Sequence, residues 1–564
     1  MKLKTRKSVS FMSLVYGLGL IAALNYVGSF VFDRLDLTQD KRYSLSDISI
    51  QEAKKLEDVI FVRVYLDGDL SADYNRLKTS TKELLDEYRS WGGDNIQYEF
   101  IDPSANPDIK AREKVYEKLV KEGLQPSTIA KRSMEETSEK VIFPGSIVTY
   151  RDKSLPWQLL KTQMGVPEPL MINNSIQQLE YQFISVVKSL QSTTLKKIAF
   201  IDGHGELPKF EVADMTRSLE EFYSVERIAI NEQINALKLV DAIIIAGPDS
   251  AFTEKDKFII DQFVMRGGKV LWLVENVSVT MDSLKNTTTT MAIPRDLNLD
   301  DQLFRYGVRV NRNLIMDLQA RPIPIVTSQI GNTPRQEMLP WFYFPLVVSQ
   351  KGHPIVKNLD AIMTEFASTI DFVGKDTAIK KHILLTSSDY TKLATTPARV
   401  SFNILREPPD KRQYNVGPEN IAVLVEGTFT SNFKNRITSK IADNKNIAFK
   451  ETSVPTRQIV ISDADIIRNQ INPKTDEFYT LGYDRFTRRI YANKEFILNC
   501  INYLMDDSGM LEIRAKEYKM RLLDRPRIEK EKTKWQIANT TYPIGIVIVL
   551  GIIAFIIRRK KYGA

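Results

Sequence analysis

The chain has 564 residues, 43% hydrophobic and 26% charged, and a formal net charge of +8. That composition is ordinary for a globular protein, and the length exceeds what one core serves, so two or three domains are predicted. The positive charge does not mark a nucleic-acid binder: Lys2, Lys4, Arg6 and Lys7 at one end and Arg558, Arg559, Lys560 and Lys561 at the other supply all of it, leaving 70 basic against 70 acidic side chains over residues 8–557.

The same two clusters abut long uncharged apolar stretches. Residues 8–32 run 25 positions, and residues 535–557 run 23, without Asp, Glu, Lys or Arg. Each is long enough to cross a hydrocarbon core, which takes about 20 helical residues. Cationic flanks stay cytoplasmic, so the basic tails 1–7 and 558–564 are both expected inside and the neutral middle on the other face of the membrane. A cleaved signal is a poorer reading of the first span, because such peptides have apolar regions of about 7–15 residues. The single cysteine, Cys500, leaves no intrachain disulfide. It falls on the helical stripe Phe496, Ile497, Cys500, Ile501 and Leu504 and is expected in the core.

In chain order, Val59–Leu66 reads as a buried strand. A helix from Asp73 to Trp91 follows, stopped by Gly92-Gly93, then a strand from Asn95 to Ile101. Val141–Tyr150 reads as a further strand with Pro144 at its entry. This order predicts a thioredoxin-like α/β domain over 33–172; lacking cysteines, it has no thiol chemistry. Ile176, Leu179, Phe183, Val186, Val187 and Leu190 mark one face of a connecting helix within 173–194.

From 195 to 510 strands and helices alternate. Strand Lys197–Ile201 turns at Asp202-Gly203-His204-Gly205-Glu206 into a helix over Lys209–Phe222, followed by strands Ser224–Ile228 and Asp241–Ala246. After Gly247-Pro248, Thr253 and Asp256 suggest a capping box, and the helix to Arg266 stops at Gly267-Gly268 before strand Lys269–Val274. This pattern predicts a parallel sheet covered on both faces. Strands His382–Thr386, Ile421–Glu426 and Gln458–Ser462 either extend that sheet or form a third lobe. A helix over Asn493–Met505 is expected to pack back on it. The charge-dense segment 511–534 reads as a solvated membrane-proximal stem or a docking site for a membrane partner.

Ligands of open parallel sheets gather at the carboxyl ends of strands. Asp202, Gly203, His204, Gly205 and Glu206 occupy such an end, where a histidine and two carboxylates can hold a metal or move a proton. The alternative is a turn made by the glycines, with His204 and Glu206 bonded to the neighbouring loop. Only His353 and His382 are available besides, and no second ligand cluster lies near, so the structural reading is favoured and no metal or cofactor is expected. Strand Lys269–Val274 runs into Glu275, a further candidate binding residue. Trp341 and Phe342, in the aromatic run 338–348, are candidates for a ligand cleft or subunit contact, with a buried strand as the alternative. No phosphate loop and no nucleophile elbow occurs, so neither ATP hydrolysis nor nucleophilic catalysis is expected.

The layout of 247–274 resembles a class I glutamine-amidotransferase-like domain without its catalytic set. Over nearly its whole length the chain also resembles the gliding-motility-associated ABC-transporter auxiliary family, GldG. The resemblance is carried by the first anchor, Arg34-Leu-Asp-Leu-Thr38, Tyr43-Ser-Leu-Ser46, Phe100-Ile-Asp-Pro103, Gly203-His-Gly-Glu206, Gly267-Gly268, Arg514-Ala-Lys-Glu517, and the second anchor with its basic tail. It implies a non-catalytic subunit in a bacterial inner membrane, bracketed by two transmembrane helices with the large domain periplasmic. The implied partners are a multi-span GldF-like permease and a cytoplasmic GldA-like ATPase, with a homo-oligomer possible, in gliding and type IX secretion. A tethered solute-binding protein with its cleft near Asp202–Glu206 is the competing expectation.

Overall fold

The computed structural model describes residues 6–28, 44–506 and 525–562, apart from breaks at 133–136, 161–167, 192–194, 285–286, 331–332, 349–351, 358, 375–376, 438–446, 473–474 and 476. The motifs Arg34–Thr38 and Arg514–Glu517, Tyr43, and the stem up to residue 524 lie outside the described residues. The chain divides into two compact units, residues 1–36 with 43–516 and residues 37–42 with 517–564.

Helix α1, Arg6–Gly28, covers most of the first predicted span; residues 29–32 lie outside the described ones. Its described stretch Leu14–Ala23 is apolar.

The first domain begins with α2, Asp47–Lys54, capped by the Ser46 hydroxyl, which accepts from the Ser49 amide. Strand β1, Ile60–Val64, leads into α3, Ala72–Gly92, and then β2, Ile96–Phe100, parallel to β1. Helix α4, Ile109–Lys121, precedes an antiparallel hairpin, Ser127–Arg132 with Thr137–Ile142. The predicted strand 141–150 is therefore split. Pro144 has no amide hydrogen to give a ladder, and the chain re-pairs beyond it as β3, Gly145–Tyr150, antiparallel to β1. Strand β4, Lys153–Gln158, completes the sheet order β2-β1-β3-β4. Helix α5, Glu168–Gln191, does more than connect: its Leu179, Phe183, Ile184 and Val187 belong to this core, with Phe183 against the rings of Tyr88 at 4.7 Å and Trp157 at 4.9 Å.

The second domain is built on a seven-stranded sheet. Strands β5 (Lys197–Asp202), β6 (Ser224–Ala229), β7 (Ala242–Ala246), β8 (Lys269–Leu273), β9 (Ile379–Thr386), β10 (Asn420–Gly427) and β11 (Thr456–Ile461) lie in the order β9-β10-β11-β8-β7-β5-β6. Five neighbouring strands are joined by parallel pairing, and β10, antiparallel to both β11 and β9, runs opposite to the other six. The three late strands thus extend the sheet. Alternate residues feed two cores: Ile198 and Phe200 of β5 face one, Ala199 and Ile201 the other. Helices α6 (Ala213–Glu220) and α9 (Asn493–Met505) cover the first face, and α7 (Glu254–Met265) covers the second. Helix α8, Asp300–Arg305, adds Leu303 to the second core.

Between β8 and β10 the chain also builds a β-rich lobe with a core of its own around Leu314, Ile323, Trp341, Phe344 and Val400. It includes the long ribbon Ala320–Ile330 with Thr333–Val347. In the second unit, α10, Arg525–Tyr562, contains the segment Glu531–Lys560, which is long and apolar enough to cross a membrane.

Candidate functional site

The chain reverses its direction of travel across the sheet between β5 and β7: β6 lies on one side of β5, and β7 and β8 lie on the other. The crevice at such a switch point is where open α/β sheets bind ligands. Asp202–Glu206 leaves β5 here, and Gly247-Pro248 leaves β7. Gly203 and Gly205 have φ of +114° and +73°, and a Cβ on Gly205 would lie 1.7 Å from Asp249 Oδ1. Only glycine lets the two loops approach this closely. The amides of Asp249 and Ser250 both donate to the His204 carbonyl, at 2.9 and 3.0 Å.

His204 does not open to solvent. Its Nδ1 lies 3.1 Å from Glu206 Oε1 and its Nε2 3.1 Å from Asp256 Oδ2. Its ring stacks on Phe252 with centroids 3.7 Å apart. The side chains of Glu206 and Asp256 are 1% and 6% exposed. Asp256 sits in the first turn of α7, where its amide is capped by Thr253, and its Oδ1 accepts from the Glu232 amide at 2.8 Å. Burial opposes a charge on His204, yet the two carboxylates together outweigh it and hold the imidazole above its ordinary pKa. With both ring nitrogens engaged by carboxylates, His204 pins the β5 loop to α7. Asp202 faces away from it, in a fork with Arg227 of β6, whose guanidinium also donates to the Leu207 carbonyl at 2.9 Å.

Glu275 follows β8 and meets Asp463 and Asp465, which follow the neighbouring parallel strand β11. One oxygen from each lies within 4.8 Å of the others. Each is already engaged: Glu275 Oε1 accepts from the Ala464 amide at 3.1 Å, Asp463 from the amides of Glu365 and Asp465 at 2.7 and 2.8 Å, and Asp465 from Arg468 at 2.6 Å. Arg295 lies 3.6 Å from Glu275, Arg468 also holds Glu211 at 2.6 Å, and Arg321 holds Glu365 at 2.5 Å. This is an ion network at the strand ends in which acids outnumber arginines. Burial therefore raises the pKa of Glu275, Glu365 and Asp463, and lifts Asp465 to about 6. Sequence reading found Glu275 and missed the rest. The available signal was Asp463-Ala-Asp465 at the end of a buried strand.

Trp341 and Phe342 are 0% and 4% exposed and belong to the lobe's core, with Trp341 packed on Tyr343 and Phe402. Both Trp341 and Phe342 lie on a strand buried in the lobe, as in the alternative reading, and Phe342 also borders a cleft at the lobe's surface. Cys500 is fully buried, and burial pushes its thiol pKa up.

The family description "ABC-type uncharacterized transport system" matches residues 195–500, more than half of the chain, and takes in the whole seven-stranded sheet with both clusters. The chain belongs to that family. It is accordingly an auxiliary component of an ABC-type transport system. A second description, a domain of unknown function (DUF7088), matches residues 39–149. No curated protein matches the chain. Among solved structures, the mmIFT52 N-terminal domain is similar at 12% identity over 55% of this chain and 98% of that one, with a TM-score of 0.32.

Proposed function

We propose that this chain is a non-catalytic, doubly anchored subunit that joins a GldF-like permease and a GldA-like ATPase to envelope machinery of gliding motility and type IX secretion. Its body would stand on the periplasmic face of a bacterial inner membrane, with both ends cytoplasmic. The observation that carries this reading is α10, an apolar span that ends on Arg558, Arg559, Lys560 and Lys561. The lysines and arginine preceding the uncharged residues 8–32 support the same orientation for the first anchor, and two tethers raise the body's effective concentration at membrane partners.

The strand order β2-β1-β3-β4, with β1 and β2 parallel and β3 and β4 antiparallel, supports a thioredoxin-like reading of the first domain. The five parallel strands support the amidotransferase-like reading of the second. A scaffold role is favoured by the engagement of both His204 nitrogens and by the burial of Cys500, the chain's one thiol. Extraction in a mild detergent followed by pull-down should recover a permease and an ATPase with the chain; recovery of the chain alone would overturn the assignment. Reporter fusions at both termini should be active only in the cytoplasm.

A further inference from the structure

At the root of the ribbon Ala320–Val347, Leu318, Pro340, Phe342, Tyr390, Pro409 and Lys411 line an open cleft of about 450 Å³, a size within the range of ligand sites. Its walls are held in place from beneath by Asp317, which is fully buried. One carboxylate oxygen accepts from the Gln319 amide at 2.7 Å and the Ser388 hydroxyl at 2.6 Å; the other accepts from the Ser388 amide at 2.7 Å. Ser388 Oγ in turn accepts from the Tyr390 amide at 3.0 Å, and the Leu318 amide donates to the Tyr390 carbonyl at 3.2 Å. The opposite wall is a short turn, Lys411–Gln413, capped by Asp410 and tied to the strand Thr391–Thr395 by Lys392, whose ammonium lies 2.7 Å from Gln413 Oε1. Rigid walls of this kind lower the ordering cost of binding.

Two features define what the cleft accepts. Pro322 pairs with Pro340 across the ribbon. Neither has an amide hydrogen, so that register position faces outward, and Pro324 shares its parity. The edge of Ala320–Ile330 therefore lacks donors at Pro322 and Pro324, which disfavours strand addition there. The face of the ribbon continues the cleft as an apolar track: Val326 and Met338, of the same parity, are 54% and 45% exposed. A track longer than the cleft suits an extended chain rather than a compact solute. The second feature is charge. The Lys411 ammonium has no ion-pair partner among the described residues, since Asp410 beside it is engaged by Arg412 at 3.0 Å. Tyr390 stands 56% exposed at the same rim.

We propose that this cleft is a peptide-binding groove for an extended segment that presents an apolar side chain beside a carboxylate. The apolar group fills the space between Tyr390, Phe342 and the prolines, and the carboxylate meets Lys411.

The test is selection of a randomised decapeptide display library on the detergent-solubilised full-length chain. The enriched pool should carry Asp or Glu next to an aliphatic or aromatic residue. Tyr390→Ala should cut its recovery by about tenfold or more, and Lys411→Glu should exchange the acidic preference for a basic one. Both positions are on the surface, and an unchanged circular dichroism spectrum would show that each variant is folded. No enrichment, an apolar pool without acids, or a pool that both variants retain equally would each overturn the proposal.

Discussion

Replacing His204 by Ala tests the pin at the switch point. The substitution removes two hydrogen bonds to carboxylates, each worth about 1.5–3 kcal/mol. It also leaves the buried carboxylates of Glu206 and Asp256 without their imidazole partner, and breaking a buried pair in this way costs about 3–5 kcal/mol. We expect a loss of about 3–5 kcal/mol, local to the β5 loop, the 247–250 loop and the first turn of α7. Hydrogen exchange of peptides spanning 203–207 and 247–256 should then speed up roughly 10²- to 10⁴-fold. The pH dependence has a definite sign. The folded pKa of His204 is raised, so its contribution is fully present below the unfolded value of about 6.5 and is lost as pH rises through the folded pKa. Wild-type protection in these peptides should therefore weaken through that window, and the variant should not show the change. A loss under about 1 kcal/mol with the pH dependence intact would refute the pin.

Three further outcomes follow from the structure. Asp465, raised to about 6, favours the folded state only while protonated, so its contribution falls as pH rises from about 4 to about 6, by at most roughly 3 kcal/mol; urea midpoints across that range should fall, and Asp465→Asn should flatten the slope. Phe183→Ala should destabilise the first domain by about 3–5 kcal/mol, because this ring is fully buried against Tyr88 and Trp157; a loss near zero in chemical denaturation would show that α5 is only a connector. Cys500 should resist a maleimide in the native chain and react fully in urea, and rapid native labelling would contradict its burial.

Most elements of the fold were legible because their signals are local. The 3.6-residue stripe of Leu179, Phe183, Val186 and Leu190 gives α5, and the buried β-branched runs give β5, β7 and β8. The split at Pro144 was misread because the residues on either side have equal strand character; what differs is their partner, Ser127–Arg132 for one and β1 for the other. Likewise, the Asp202–Glu206 turn was recognisable from its glycines, but the direction of each side chain was not. His204 turns inward to Asp256, 52 residues away, while Asp202 turns aside to Arg227.

By itself the sequence determined the two uncharged spans with their basic flanks, the alternation that demands a parallel sheet, and the lack of a phosphate loop or nucleophile elbow. These depend on composition and on spacings shorter than a helix. Only the tertiary structure decided that β9, β10 and β11 close the same sheet, that a β-rich lobe grows from it, and that Glu275 meets Asp463. Each of these joins segments far apart in the chain, and hydrogen-bond pairing and charge compensation at such separations leave no periodic trace in the residues that make them.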